Sequence, residues 1–274
     1  MGMCRRPRLV LLVAFFTVVA VWCAPARGAT VYENDFESGV GPEWSSTAGP
    51  LTISATPFFQ RKFLGEFGNG VVSLTLDGLG AHTVAVVEFD LFVLRSWDGL
   101  NQDLGCNSAS CETWSLSVEG GPTLVESNFN NIGGFPPPRG QVQAWPHNIG
   151  AGPPQPFHTR AVEVGSLGYP ALIQDAETQE IGVVCCFDAV YHIVRTFPHA
   201  GPELTLDFAA ADLQLLDPAL QQQFNFFFPD ESWGLDNVRV NLSVPEPATV
   251  LLLGTVMLAL TIIGALPKRT RSRA

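Results

Sequence analysis

The sequence predicts an all-β protein: an antiparallel β-sandwich of jelly-roll type, preceded by an N-terminal signal helix and followed by a single C-terminal transmembrane helix. Three observations lead to this prediction. Several short runs alternate apolar and polar residues, turn signals containing glycine separate them, and no long stretch repeats its apolar residues every 3.6 positions. Strands without a layer of helices to cover them favour two antiparallel sheets packed face to face.

The alternating runs define the predicted strands and their core faces. Their apolar positions are Val72, Leu74 and Leu76; Trp114, Leu116 and Val118; Leu204, Leu206 and Phe208; and Val238, Val240 and Leu242. Every second residue of a strand faces the same side, so these positions are the predicted core. Between Ala85 and Val93 one face is apolar and the other is mixed, which predicts a more central strand.

The first 29 residues have the three parts of a secretory signal peptide. A basic start, "CRRPR", precedes the apolar run Leu9–Val21, and small residues follow. The apolar run is too short to span a bilayer comfortably. This pattern predicts export of an ectodomain that covers residues 30–243.

The last 31 residues, 244–274, read as a membrane-directed tail. Residues 248–266 carry no charge, and as a helix they would cross about 28 Å of hydrocarbon. Residues 267–274 form a basic end, "PKRTRSRA", which the positive-inside rule places in the cytoplasm. The simplest interpretation is a single-pass anchor with the ectodomain outside.

The start of this tail carries a family resemblance. Pro245, Glu246 and Pro247, followed by one uncharged span and an arginine-rich end, resemble the PEP-CTERM sorting tail of certain exported bacterial proteins. The resemblance implies recognition by an exosortase, a membrane-embedded thiol peptidase, and delivery to the cell surface or the extracellular polymer matrix. The alternative is an ordinary anchor behind a proline-stiffened stem.

The charge of the ectodomain excludes one class of function. Between Glu33 and Glu246 lie all 26 acidic residues and seven basic ones, a net charge of −19. Nucleic-acid binding needs a basic surface, so it is excluded. The acidity fits a soluble exported domain, and it would also attract divalent cations.

A second resemblance concerns the ectodomain. The fragments "NDFESG", "FLGEFGNG", "FDLFVLRSWDG" and "SWGLDNVRV" are similar to exported sandwiches of the laminin-G-like and carbohydrate-binding jelly-roll families. The resemblance implies a structural calcium ion between the first and last strands, bound by Glu37 and Asp236 with Asp35 as a further oxygen donor. The alternative is that Asp236 only ends a turn and that Glu37 is solvated.

The cysteines and one loop complete the expectations for the ectodomain. Cys106 and Cys111 bracket the flexible stretch "NSAS", which predicts a disulfide in an exported protein. For Cys185 and Cys186, buried free thiols and a pairing of one of them elsewhere both remain open. Residues 133–156 contain seven prolines and five glycines, which predicts an inserted surface loop rather than a strand pair.

Trp145 lies within this loop and is the tryptophan expected to be exposed. A flat exposed ring can stack on a sugar, so Trp145 is a candidate ligand-binding residue. The alternative is a ring that holds its own loop in place.

The sequence carries no motif that identifies a catalytic site. It lacks H-E-x-x-H, G-x-S-x-G and a phosphate-binding glycine loop. We therefore predict a non-enzymatic cell-surface or matrix protein, with an extracellular polysaccharide as a hypothetical ligand. The alternative is a carbohydrate-active enzyme, a glycosidase or lyase, on the same fold.

Overall fold

The structure is a computed structural model that describes residues 28–100, 112–133, 142–174, 180–225 and 228–243. Thr30–Leu242 forms one compact unit. A second unit consists of Met1–Ala29 and Ser243–Ala274, nearly all of it outside the described residues. In the described ranges no helix has the length and apolar character to cross a membrane.

Several sequence predictions fall outside the described residues. They are the signal peptide before residue 28, the sorting motif and span in residues 244–274, and the disulfide between Cys106 and Cys111. These three stay predictions.

All but one of the regular elements in the described residues are strands. In chain order the elements are β1 (Ala29–Asn34), β2 (Trp44–Ser46), β3 (Ile53–Ala55), β4 (Lys62–Phe67), β5 (Gly70–Leu76), β6 (Val84–Arg95), β7 (Thr113–Val118), β8 (Thr123–Ser127), β9 (Val142–Gln143), β10 (Gln155–Pro156), β11 (Glu163–Val164), β12 (Pro170–Gln174), β13 (Ile181–Cys185), β14 (Asp188–Pro198), β15 (Leu204–Ala211), α1 (Pro218–Phe224) and β16 (Glu231–Ser243). The prediction of an all-β protein is confirmed.

Two larger sheets account for most of the pairing. Sheet A has seven strands in the order β11-β14-β6-β16-β4-β3, with β1 also paired to β16. Sheet B has five strands in the order β2-β5-β15-β7-β8. Two short pairs, β9 with β10 and β12 with β13, complete the pairing, and the strand pairs with a defined register are antiparallel.

The two sheets share one hydrophobic core. The predicted core faces of β5, β7, β15 and the second half of β16 are all buried in it. Aromatic rings join the sheets: the centroid of Phe89 in β6 lies 5.7 Å from that of Trp114 in β7, and Trp114 lies 6.1 Å from Trp233 in β16. Alternation in the sequence thus identified the inward faces correctly.

Strand β6 has the central place that its mixed outer face predicted. It lies between β14 and β16, and it pairs with β14 over the whole range from Val84↔Pro198 to Leu94↔Asp188. Its outer face has an apolar part, which other residues cover, and a polar part that is partly accessible to solvent. Phe92 is covered in a small apolar cluster with Phe63 and Tyr169, whereas Asp90 remains partly accessible.

The segment 133–156 differs from the predicted surface loop. Val142–Gln143 pairs with Gln155–Pro156, so the prediction that it holds no strand pair is wrong. The buried side chain of Gln143 accepts hydrogen bonds from the backbone N–H of His158 and from the hydroxyl of Tyr191, at 3.1 and 3.2 Å. These bonds satisfy buried polar groups at the point where Gln143, Ala144 and Trp145 enter the core. Residues 134–141 of the predicted loop lie outside the described residues.

Strand β16 contains a bulge that changes its facing pattern. Leu235 and Val238 both belong to the core cluster although they are three positions apart, which strict alternation does not allow. Asn237, between them, has a left-handed φ of 51° and is exposed. The facing pattern and the left-handed φ therefore indicate one extra residue at Asn237. It follows the residues of β16 that pair with β4, which end at Leu235 and contain a register shift of their own between Trp233 and Gly234.

We expect Asn237→Val to destabilise the protein because a β-branched residue is unfavourable in the left-handed region. The free energy of unfolding in urea should fall by about 1–2 kcal/mol. Asn237→Gly removes the same side chain, but glycine readily adopts a left-handed φ. Its free energy of unfolding should therefore remain close to that of the wild type. Equal losses in the two variants would show that the side chain, and not the bulge conformation, sets the stability.

Candidate functional site

Three carboxyl groups meet where strands of both sheets begin or end. Asp98 follows the end of β6, Glu112 immediately precedes β7, and Glu231 is the first residue of β16. Glu112 and Glu231 are each 2% exposed, while Asp98 is partly accessible. We call these three residues the acidic triad.

Hydrogen bonds hold the acidic triad in place. The backbone N–H of Asp98 donates to Glu112 Oε2 at 2.7 Å. Gln214, in the segment after β15, contributes twice: its backbone N–H donates to Glu231 Oε2 at 2.6 Å, and its side-chain amide donates to Asp98 Oδ2 and Glu112 Oε1 at 3.0 and 3.1 Å. Four separate chain segments thus converge on one buried polar group.

The buried carboxyl groups of the triad favour protonation. Burial, together with the charge of Asp98, raises the pKa of Glu112 to about 8. Burial and the neighbouring Glu112 raise the pKa of Glu231 well above its ordinary value. Two carboxyl groups in contact cannot both ionise in such surroundings, so they hold a proton between them at neutral pH.

The acidic triad has the oxygen donors that a divalent cation prefers. One carboxylate oxygen from each residue lies within 4.8 Å of the others, and the described residues contain no second group of three such ligands. The side-chain amide of Gln214 nevertheless already donates to two of the three groups, and a cation among them would repel this N–H donor. The contacts therefore favour a shared proton over a bound ion.

A second polar cluster lies on the outer face of sheet A. The guanidinium of Arg61 contacts three carboxylates, through Nε to Asp236 at 2.8 Å and through Nη1 and Nη2 to Glu163 and Asp90 at 3.0 Å each. The carbon Cζ of Arg61 also lies 4.6 Å from the ring centroid of Phe92. We call Arg61 and its three carboxylates the Arg61 network.

Asp90 extends this network across sheet A. Its Oδ1 lies 2.8 Å from Nδ1 of His192, and its Oδ2 accepts from the side-chain amide of Asn237 at 2.8 Å. His192 Nε2 in turn lies 3.3 Å from Glu88 Oε1. The bulge in β16 allows this arrangement, because it presents Asp236 and Asn237 to the same polar cluster although they are consecutive.

The structure does not assemble the predicted calcium ligands. Asp236 is taken by Arg61 and by the N–H of Asn237, while Glu37 is exposed beside Lys62 at 3.6 Å and Asp35 accepts from the N–H of Glu37. Burial raises the pKa of Asp236, and its hydrogen bond to Arg61 opposes that rise. A guanidinium therefore neutralises the carboxylate that the calcium hypothesis needed.

Trp145 is not an exposed ring. It is 4% exposed and packs against Phe129 and Tyr191 with centroid distances of 5.6 and 6.2 Å. The guanidinium carbon of Arg195 lies 5.1 Å from the Trp145 ring centroid. The expectation of exposure is wrong, and the alternative, a ring that holds its own segment in place, describes the contacts.

The adjacent cysteines also differ from both alternatives left open by the sequence. Cys185 and Cys186 are joined to each other by a disulfide. Cys185 is exposed and Cys186 partly so, at the end of β13. They are therefore neither buried free thiols nor partners of distant cysteines.

Sequence reasoning missed both polar clusters because their members are far apart in the chain. The signal for the acidic triad was a repeated local pattern, an acidic residue within two positions of a tryptophan: Trp97-Asp98, Glu112-Thr113-Trp114 and Glu231-Ser232-Trp233. All three tryptophans are fully buried, which draws the neighbouring carboxyl groups toward the interior. Arg61 had no such signal.

The acidic triad should make the protein less stable as the pH rises. Its raised pKa values mean that the folded state keeps protons that the unfolded state releases, so this contribution is complete below about pH 4.5 and is lost toward about pH 8. Glu231→Gln supplies a neutral hydrogen-bonding group. We expect it to increase the free energy of unfolding at about pH 8 by at least about 1 kcal/mol and to flatten the pH slope.

The control for this experiment is Glu126→Gln, which removes an exposed carboxylate from β8 and should leave the slope unchanged. Urea unfolding of all three proteins across the pH range gives the slopes. If calcium stabilised the wild type but not Glu231→Gln, the result would contradict a shared proton. It would indicate a cation site at the acidic triad instead.

Two sequence comparisons with known proteins found no match. No protein-family model matches the sequence, and no curated protein matches it. The function proposed below therefore rests on the residues and contacts of the chain itself.

Proposed function

We propose that this chain is an exported, non-enzymatic protein of the cell surface or extracellular matrix that binds polysaccharide. In this proposal the ectodomain is a β-sandwich of jelly-roll type, and the C-terminal tail is a PEP-CTERM sorting signal read by an exosortase. The observation that carries the proposal is the arrangement of the sequence: a signal peptide and a Pro-Glu-Pro tail enclose one acidic β-rich domain.

The contacts between sheets support the sandwich. Phe89 of sheet A contacts Trp114 and Phe208 of sheet B, with centroid distances of 5.7 and 5.3 Å. Two antiparallel sheets that bury their apolar faces against each other leave their outer faces, edges and loops available for binding. A protein held in a polymer matrix needs such a surface more than it needs an enclosed active site.

The competing hypothesis is a carbohydrate-active enzyme, and one observation favours it. Glycosidases use a carboxyl group with a raised pKa beside a second carboxyl group, and Glu112 has a raised pKa with Asp98 as a neighbour. Against it, both oxygens of Glu112 already accept hydrogen bonds from the protein and its side chain is buried. A proton donor in catalysis must reach a substrate, so we prefer the non-enzymatic function.

The sorting signal is tested by replacing Pro245, Glu246 and Pro247 with alanine while leaving the uncharged span intact. In a host that has the export system, we expect the variant to accumulate in the membrane fraction at unprocessed size. Immunoblots of membrane, surface and medium fractions measure this. A variant with the size and distribution of the wild type would indicate an ordinary anchor.

The ectodomain function is tested by incubating the purified full-length chain, in detergent, with a panel of neutral, acidic and amine-bearing polysaccharides. We expect at least one polymer to retain the protein in a pull-down without any release of new reducing ends. New reducing ends would favour the enzyme, and their loss in Glu112→Gln would assign the activity to the acidic triad. Retention on none of the polymers would contradict polysaccharide binding.

A further inference from the structure

The turn between β3 and β4 presents an aromatic ring to solvent at a place where the fold does not need it. Phe59 is 91% exposed and Phe58 is 46% exposed. The only ring contact of Phe59 among the described residues is with Phe58, edge to face, at a centroid distance of 6.5 Å. Burial of Phe59 therefore contributes almost nothing to stability.

The backbone of this turn makes the presence of Phe59 still less expected. Phe59 and Gln60 have left-handed φ values of 62° and 54°. Two consecutive residues of this kind normally select Asn and Gly, because larger side chains are unfavourable there. The turn thus keeps an exposed phenylalanine in a conformation that disfavours it, which points to a role outside the fold.

The turn is nevertheless firmly held. Thr56 N–H donates to the carbonyl of Arg61 at 2.9 Å, and Arg61 N–H donates to the hydroxyl of Thr56 at 3.0 Å. Phe58 N–H donates to the carbonyl of Leu167 at 2.9 Å. Gly168 leaves room for the Phe58 ring, since a Cβ there would lie 2.7 Å from it. The backbone that carries the exposed ring is therefore held in place.

The Arg61 network, whose arginine belongs to the same turn as Phe59, carries an excess of negative charge. Arg61 lies two residues after Phe59 in the same turn, and its single positive charge faces the three carboxylates of the Arg61 network. The Glu163 side chain is 40% exposed. An exposed aromatic ring together with the exposed carboxylate of Glu163 suits a ligand that is flat, apolar on one side and positively charged.

We propose that Phe59 and the Arg61 network form a binding site for a polysaccharide of amino sugars with free amines. The C–H face of a pyranose ring stacks on Phe59, and a protonated amine is attracted to the aromatic face and to the exposed carboxylate of Glu163. The two oxygens of Glu163 also accept from Arg61 and from the hydroxyl of Ser166, and their remaining lone pairs face the amine. Hydroxyl groups hydrogen-bond to the partly exposed polar groups of the network. The inference rests on the proposed polysaccharide binding and names its ligand class and its contact residues.

The probe is the hexamer of β-1,4-linked glucosamine, compared with its fully N-acetylated form and with an acidic alginate hexamer. Calorimetry on the full-length chain in detergent should detect the amine-bearing hexamer, weaker binding of the acetylated one and none of alginate. Phe59→Asn, which suits the left-handed backbone, should fold normally and weaken binding about tenfold or more. Phe59→Trp should retain binding, and Glu163→Gln should reduce only the preference for the free amine.

The control is Leu215→Asn, which removes an apolar side chain that is 86% exposed in another segment, between β15 and α1. It should bind as the wild type does. Unchanged affinity in Phe59→Asn, or no binding of the amine-bearing hexamer, would overturn the site. The site would also be overturned, in favour of a lipid surface, by a different pattern of binding. In that pattern the wild type binds vesicles of phosphatidylcholine and phosphatidylglycerol but not the hexamer, and Phe59→Asn does not bind the vesicles. If other polysaccharides retain the chain while the hexamer does not, this site fails and the proposed function stands.

Discussion

Packing of the two sheets against one aromatic core is the constraint on which the rest of this fold depends. Trp114 is at its centre: its ring contacts Phe89 and Trp233 of sheet A and Phe208 of its own sheet. Because side chains alternate along a strand, fixing these rings inward fixes the opposite positions outward. Polar groups are thereby confined to the outer faces, the strand ends and the turns, which is where both polar clusters lie.

Strand β16 meets this constraint with a local irregularity at Asn237, which places polar groups on the outer face. β16 pairs with β4 in its first part and continues past it, and the bulge at Asn237 restores the inward facing of Val238 after Leu235. Asp236 is left outside the core, where Arg61 neutralises it. The packing of the core thus places the Asp236 carboxylate where it contacts Arg61 of the β3–β4 turn.

The part of this structure that the sequence predicted is the part with local periodicity. The inward faces of β5, β7 and β15 and the central position of β6 follow from alternation over six or more residues. The pairing of β9 with β10 could not be predicted in this way, because strands of two residues have no period. Trp145 was misjudged for the same reason: prolines around it suggested a surface loop, but Tyr191 and Phe129, distant in sequence, bury its ring. The sequence predicted calcium at Asp236 and gave no sign of its contact with Arg61, 175 positions earlier in the chain.

The two acidic clusters separate two uses of carboxyl groups in a strongly acidic protein. In the acidic triad, burial raises the pKa values, and the groups keep a proton and act as hydrogen-bonding elements between chain segments. In the Arg61 network, a guanidinium compensates part of the charge and Glu163 remains partly exposed to solvent, where its charge can act on a ligand. A ligand from outside therefore reaches Glu163 of the second cluster more readily than the buried Glu112 and Glu231 of the first. Phe59 and Arg61 belong to the same turn, and the proposed binding site combines the exposed ring of that turn with the exposed carboxylate of the network.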